Sequence, residues 1–322
     1  MFVTDRKDEH SDALPTRFGM GREVLPTCGK VSYLQEVSRE IGGDFTKSIS
    51  LTSGSFHSGY EECIAYVNSL LPRAGKILIY IHGYKTKFDS SIRRAIGMAH
   101  DLGFPGLILV WSWPSDGISK APYGHDLDSI RWTTPHAIQF IDLLAKLPNV
   151  TTIDLVAHSL GNNILLSILN RMAETGTSIK MNTVVFAAPD VAQDNFREDI
   201  RRAWRDARRP NGPFNFGTLY ASSRDQALEV SEIVHYSSDP GGGVRAGYGG
   251  PDSIMVDVPG VEAVDTSELP VLIQDPRGHS YVFGHPSAVD DLTKVIVQNL
   301  HATQRRLEER VKGNGRYWLL RE

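Results

Sequence analysis

The sequence predicts an α/β fold, a mostly parallel sheet with helices on both faces, and three observations predict it. From Lys76 onward, apolar strand-like runs alternate with helix-like stretches. The first of these runs, Ile77-Leu-Ile-Tyr-Ile81, is continuously apolar, as a strand buried on both faces must be. A later run passes through a sharp strand-to-helix pentapeptide, Ala157-His-Ser-Leu-Gly161.

The elements follow in order. Ile92, Ala95, Ile96 and Ala99 recur at helical spacing between Ser90 and Leu102. Gly106 to Trp111 reads as the next strand. Thr134-Pro135 reads as a helix start, Thr as N-cap and Pro in the first turn, with Ile138, Ile141, Leu144 and Ala145 on the buried face. Thr152 to Val156 is a strand, Leu160 to Met172 its helix. Asn182 to Phe186 and Thr218 to Ala221 are strands, each followed by a helix, around Asn195 to Arg208 and from Gln226 to His235. Val261 to Val264 is expected as the last strand, and Ser287 to Arg306 as the closing helix. Alternation of this kind builds a parallel sheet covered on both sides. In the first part, Val31 to Val37 alternates like an edge strand, Ser48 to Thr52 is its expected neighbour, and Gly59 to Leu71 reads as a helix. A single domain is expected: a β-rich extension over 1–58, a catalytic core over 59–303 and a helical tail over 304–322.

The chain has 322 residues, 41% hydrophobic and 22% charged, which is ordinary globular composition and excludes overall disorder. A net charge of −4 asks for neither nucleic acid nor an anionic membrane. Cys28 and Cys63 lack metal-site spacing, so they are expected to be reduced, buried hydrophobes, and no metal or cofactor is expected. The charged start, MFVTDRKDEH, is unlike a secretory signal, and no run approaches the ~20 apolar residues of a membrane span. The expected compartment is the cytoplasm, though a chain cut at an export site would read the same way.

The pentapeptide is the G-x-S-x-G elbow with Ala157 in the first glycine position. A serine hydroxyl is a weak nucleophile until a base lies beside it. The tight turn lifts Ser159 above the sheet, and small residues two positions to either side let the backbone bend there. Together with the parallel sheet, this points to the α/β-hydrolase fold. Two N–H donors for a developing oxyanion are expected from Leu160, just after the serine, and from Tyr84, in the turn Ile81-His-Gly-Tyr84. Gly83 lets that turn approach the site, and His82 is read as bracing it rather than as a base.

Chain order in this fold is Ser, then Asp or Glu, then His. Asp225 follows a late strand, where an acid reaches the ligand-binding rim; its competing role is to cap the next helix. Asp190, at the end of the preceding strand, is the rival acid. His279 lies in the loop before the closing helix, and is preferred to His285, whose competing role is helix entry. His10, His57, His100, His125, His136, His235 and His301 have no comparable placement.

Tyr80-Ile-His-Gly-Tyr84, Trp111-Ser-Trp-Pro-Ser115, Ala157-His-Ser-Leu-Gly161, Ala187-Ala-Pro-Asp190, Ser223-Arg-Asp225 and Gly278-His-Ser-Tyr281 occur in this order. Together they resemble a largely uncharacterised bacterial α/β-hydrolase family over roughly residues 60 to 300. The resemblance implies the fold and a serine-hydrolase apparatus with the serine at Ser159, the acid at Asp225 and the histidine at His279. It implies no substrate. The family usually carries Met where this chain has Leu160, and the segment His125 to Trp132 and the N-terminal region depart from its pattern.

Trp111 and Trp113 read either as an aromatic wall of the pocket or as core. The arginines from Arg197 to Arg209 read as a solvated helix face or as an anion site. The Gly-rich stretch from Pro240 to Pro251 lacks the strand and helix of a phosphate cradle and reads as a loop, with mobility near the histidine segment open. The expected activity is hydrolysis of a small carboxylic ester or thioester through an acyl-enzyme. An acyltransferase on the same residues, or a non-catalytic binding or scaffold module, are the alternatives. The sequence leaves the oligomeric state open.

Overall fold

The first residues are not peripheral to the sheet. In a computed structural model describing residues 1–35, 40–43, 48–71, 75–117, 123–175, 181–206, 212–238 and 243–322, β1 (Phe2–Asp8) enters the main sheet with Phe2 and Val3 fully buried. After the short α1 (Leu14–Arg17), β2 (Phe18–Gly29) returns antiparallel to β1. β3 (Val31–Gln35) and β4 (Ile49–Gly54) pair with each other, as the alternation suggested, but in a separate two-stranded sheet. β5 (His57–Ser58) borders β2, and α2 (Tyr60–Leu70) follows.

The alternating core then runs β6 (Gly75–Ile81), α3 (Phe88–Leu102), β7 (Leu107–Trp111), α4 (Tyr123–Lys146), β8 (Val150–His158) and α5 (Gly161–Thr175). It continues β9 (Met181–Ala187), α6 (Gln193–Asp206), β10 (Phe216–Ala221), α7 (Gln226–Ser238) and β11 (Val261–Asp265). The short α8 (Tyr281–Gly284) and α9 (Pro286–Ile296) precede a final pair, β12 (Glu308–Lys312) and β13 (Gly315–Leu319).

The main sheet has eleven strands in the order β12-β13-β11-β10-β9-β8-β6-β7-β1-β2-β5. Neighbours from β13 through to β1 are parallel. β6 shows why its sequence is apolar throughout: Ile77, Ile79 and Ile81 pack into one core, Leu78 and Tyr80 into the other. Strands of one direction need crossovers, and the helices that supply them cover both faces.

Four expectations are corrected. α4 does not begin at Thr134-Pro135 but at Tyr123, with Pro135 inside it. Pro135 faces solvent, so the carbonyl it leaves without an amide partner can be hydrated, and Thr134 Oγ1 donates to Ile130 O at 2.6 Å. The closing helix stops at Ile296, short of Arg306; Asn299 then turns left-handed at φ 55°. The tail is not helical, and β11 is not the last strand. Lys312 pairs with Gly315 across a two-residue turn in which Gly313 has φ 59°, so β12 and β13 form a hairpin, with β13 beside β11. Buried Arg305 anchors the start of that tail on Asp291 at 2.8 Å and Glu262 at 3.2 Å.

The fourth concerns the cysteines. Cys28 and Cys63 are joined in a disulfide, with Cα atoms 5.6 Å apart. No local motif announces it. Cys28 sits on β2 opposite His57 of β5, and α2 folds back at once, so Cys63 in its first turns meets β2.

Candidate active site

Ser159 occupies the turn between β8 and α5 at φ 52°, a left-handed conformation that costs a non-glycine residue roughly 1–3 kcal/mol. Its surroundings hold it there. The Ser159 N–H donates to Ala187 O at 3.0 Å, and Ser159 O accepts from Asp190 N–H at 3.2 Å and Asn162 Nδ2 at 2.9 Å. A Cβ on Gly161 would stand 2.5 Å from His82 O, so only glycine admits the His82–Tyr84 turn this close. Among the described residues Ser159 Oγ has no hydrogen-bond partner; Ser159 lines a cavity of about 470 Å³.

His279 lines the same cavity. Its Nδ1–H donates to Asp225 Oδ2 at 2.7 Å. The other oxygen, Asp225 Oδ1, accepts from the Ala227 and Leu228 N–H groups at 3.1 Å each. The two roles weighed for Asp225 therefore coexist, one on each oxygen: it caps α7 and orients an imidazole. Burial raises the Asp225 carboxyl above its ordinary range, with His279 offsetting part of the shift. For His279, burial opposes the imidazolium, but the charge and hydrogen bond of Asp225 outweigh it and raise the pKa.

Asp190 does not meet His279. It accepts from Ser231 Oγ at 2.6 Å and Tyr123 OH at 3.2 Å, and faces Arg245 Nε at 3.5 Å in a buried ion pair. His285 accepts from Ser287 N–H at 3.3 Å and caps α9, the helix-entry role.

His82 is fully buried. Its Nδ1 lies 2.9 Å from Gly83 O and its Nε2 3.2 Å from Trp113 O, and it stacks on the Trp113 ring with centroids 4.8 Å apart. Burial, then the nearby Arg6 charge, push its pKa down to about 3, so it is neutral and occupied as a brace. Among the described residues neither the Tyr84 N–H nor the Leu160 N–H meets an acceptor. Tyr84 borders the cavity with Ser159, and α5 starts one residue after Leu160, adding its N-terminal dipole.

His158 was not singled out in the sequence, although it sits in the elbow itself. Its Nε2–H donates to His279 O at 3.0 Å, and its ring lies 4.7 Å from the His279 ring. Burial, with the neighbouring His279 charge adding, holds it far below the usual histidine range. It ties the serine-bearing turn to the histidine-bearing loop.

Residues 64–295, well over half of the chain, match the family described as alpha/beta hydrolase of unknown function (DUF900). The chain belongs to this family. No curated protein is significantly similar in sequence. The carboxylesterase CesB (YbfK) from Bacillus subtilis is a structural neighbour at 12% identity and TM-score 0.38, covering 85% of this chain and 93% of that one. The metagenomic carboxyl esterase MGS0156 is another, at 16% identity and TM-score 0.35, covering 71% and 78%. Likeness of this degree carries no information on substrate.

The remaining features of this α/β hydrolase fall outside the cavity. Trp111 donates its Nε1–H to Thr133 Oγ1 at 2.9 Å, so it and Trp113 are core. Arg197 and Arg202 pair with Asp194 and Asp199 at i,i+3 spacing on α6; residues 208 and 209 lie outside the described residues. Residues 245–247 of the Gly-rich stretch pack between strand ends, with Ala246 N–H on Val191 O at 2.8 Å and Gly247 N–H on Pro189 O at 2.9 Å. Among the described residues no three His, Cys, Asp or Glu side chains gather as a metal site, and no helix is long and apolar enough to cross a membrane.

Proposed function

We propose that this family member is a serine hydrolase of carboxylic esters or thioesters, with Ser159 as nucleophile, His279 as base and Asp225 as orienting acid. The observation that carries the reading is the 2.7 Å His279–Asp225 hydrogen bond on an imidazole that shares a cavity with a strained serine. In the free enzyme the serine–histidine contact is commonly loose and tightens on substrate.

In the proposed reaction, Ser159 Oγ attacks the carbonyl carbon and its proton passes to His279 Nε2. The Tyr84 and Leu160 N–H groups receive the oxyanion, each worth roughly 3 kcal/mol in such a site. The carbon–leaving-group bond breaks, and His279 returns the proton to the leaving oxygen or sulfur. Water, deprotonated by the same imidazole, then releases the acid. Asp225 holds the Nδ1–H tautomer and the imidazolium; Asp190 supports the cavity floor. An acyltransferase differs only in using an alcohol or amine in place of water. The disulfide favours an oxidising compartment over the cytoplasm.

A fluorophosphonate probe tests the reading. The wild-type protein should be labelled once per chain, and Ser159→Ala not at all. A folded wild-type protein that resists the probe points instead to a binding or scaffold module.

A further inference from the structure

α7 is apolar where a surface helix is ordinarily polar. Ala227, Val230, Ser231 and Val234 stand at i, i+3, i+4 and i+7, and all four line the cavity that holds Ser159. Val230 and Val234 are 60% and 42% exposed, and Ile233 beside them is 66% exposed. Tyr84 and Tyr123, edge to face with ring centroids 5.4 Å apart, line the same cavity, and Tyr123 OH reaches Ser231 Oγ of α7 at 3.3 Å. The cavity lining thus joins an aliphatic stripe to an aromatic pair. The seven rises from Ala227 to Val234 make the stripe about 10 Å long. The cavity's buried carboxylate, Asp190, requires no polar ligand, because it already takes hydrogen bonds from Ser231 and Tyr123 and faces Arg245, while Lys85, Asp275 and Arg277 also line the cavity.

A second cavity of about 350 Å³ shares Tyr84 and His279 with the first. Thr86, Ser90, Gln274 and the charged Arg93, Arg94 and Asp275 contribute to its polar lining, and Ser159 is not part of it. A leaving group must depart on the side of the imidazole that protonates it. The polar cavity beside His279 suits that half of the substrate, and the slot reaching Ser159 suits the acyl half.

We infer that the stripe Ala227–Val230–Val234 on α7 and the Tyr84–Tyr123 pair form the acyl-binding slot, and that the substrates are esters with an unbranched apolar acyl chain of medium length. The inference rests on the hydrolase reading above and deepens it. Val230 and Val234 set the chain preference, because each methylene laid along the slot removes apolar surface from water.

The test is a p-nitrophenyl ester series, acetate, butyrate and octanoate, read as kcat/KM. It should rise about two- to fourfold per added methylene until the slot is filled. In the double variant Val230→Ser, Val234→Ser, the octanoate-to-acetate ratio should fall about tenfold or more. Both positions are exposed, so polar replacements there do not threaten the fold. Val311→Ser, at a 70% exposed site on β12, should leave the ratio unchanged. An enzyme that the fluorophosphonate labels, but that shows no chain-length preference or keeps it in the double variant, overturns the inference while the hydrolase reading stands. A flat acyl series with a rise along alkyl acetates of growing alcohol chain overturns it too, by placing the apolar half on the alcohol. Absent labelling removes the reading itself.

Discussion

A Cβ placed on Gly83 would stand 2.6 Å from the Cβ of Ser159 and 2.9 Å from His158 O. Neither neighbour can yield cheaply, since one is the elbow side chain and the other its backbone. Gly83→Ala therefore has to push the His82–Tyr84 turn away from the serine, and with it the Tyr84 N–H. The expected result is a folded protein whose kcat for an activated ester falls about 10²–10³-fold, the loss of one oxyanion donor. Thermal unfolding beside the kinetics checks it. An alanine variant with full kcat would remove Tyr84 N–H from the mechanism.

Asp225 and Asp190 are separated by what each carboxylate touches. Asp225 Oδ2 holds His279, so Asp225→Asn should lower kcat by about 10⁴ by favouring the wrong tautomer. Asp190→Asn takes the counter-charge from buried Arg245 and should appear mainly as lost stability, with a smaller fall in kcat. Steady-state kinetics and denaturant melts of both variants decide between them. A collapse of turnover in Asp190→Asn alone, with the fold intact, would reverse the assignment.

What could be read from the sequence was what is local or ordered along the chain. The proposed nucleophile Ser159 is legible because the elbow is five consecutive residues, and the proposed acid and base, Asp225 and His279, because the fold leads one to expect their order. β1 was hidden because Thr-Asp-Arg-Lys-Asp looks like a solvated terminus. The structure buries Asp5 on His136 at 2.9 Å and Arg6 on Ser112 Oγ, Ser115 O and Thr86 O, partners far away in the chain. The Cys28–Cys63 pair is invisible for the same reason, since tertiary packing alone brings β2 and α2 together. The final hairpin is different. Its Gly313-Asn314 signal is plain, but Glu308-Glu-Arg-Val-Lys has residues that favour a helix, and pairing with β13, itself held on β11, overrides that preference.

The raised pKa of His279 fixes the sign of the pH dependence. His279, as the proposed base, works only when neutral, so kcat/KM should be low in acid and climb through a limb lying above the ordinary histidine value of 6.5. The charge and hydrogen bond of Asp225 are what raise it, against burial, which lowers it. In Asp225→Asn the surviving activity should therefore show its acid limb at lower pH than wild type. Profiles of kcat/KM measured on one ester across the limb compare the two. A wild-type limb below 6.5, or one unmoved by the substitution, would mean another group controls the rate.

The disulfide has a consequence for stability. It closes a loop with a sequence separation of 35, which removes about 4 kcal/mol of unfolded-chain entropy by the loop-closure relation, with engineered pairs commonly returning less. Both cysteines are fully buried, so the bond should resist reductant while the protein is folded and yield once it unfolds. Protein made in an oxidising compartment should show no free thiol when titrated in guanidinium, and two after reduction. The pair Cys28→Ala, Cys63→Ala should unfold at lower denaturant, by about 2–4 kcal/mol, because the alanines fill the site without the cross-link. Two titratable thiols after folding in the presence of oxidised glutathione would return both residues to the reduced, packing role that their spacing alone suggests.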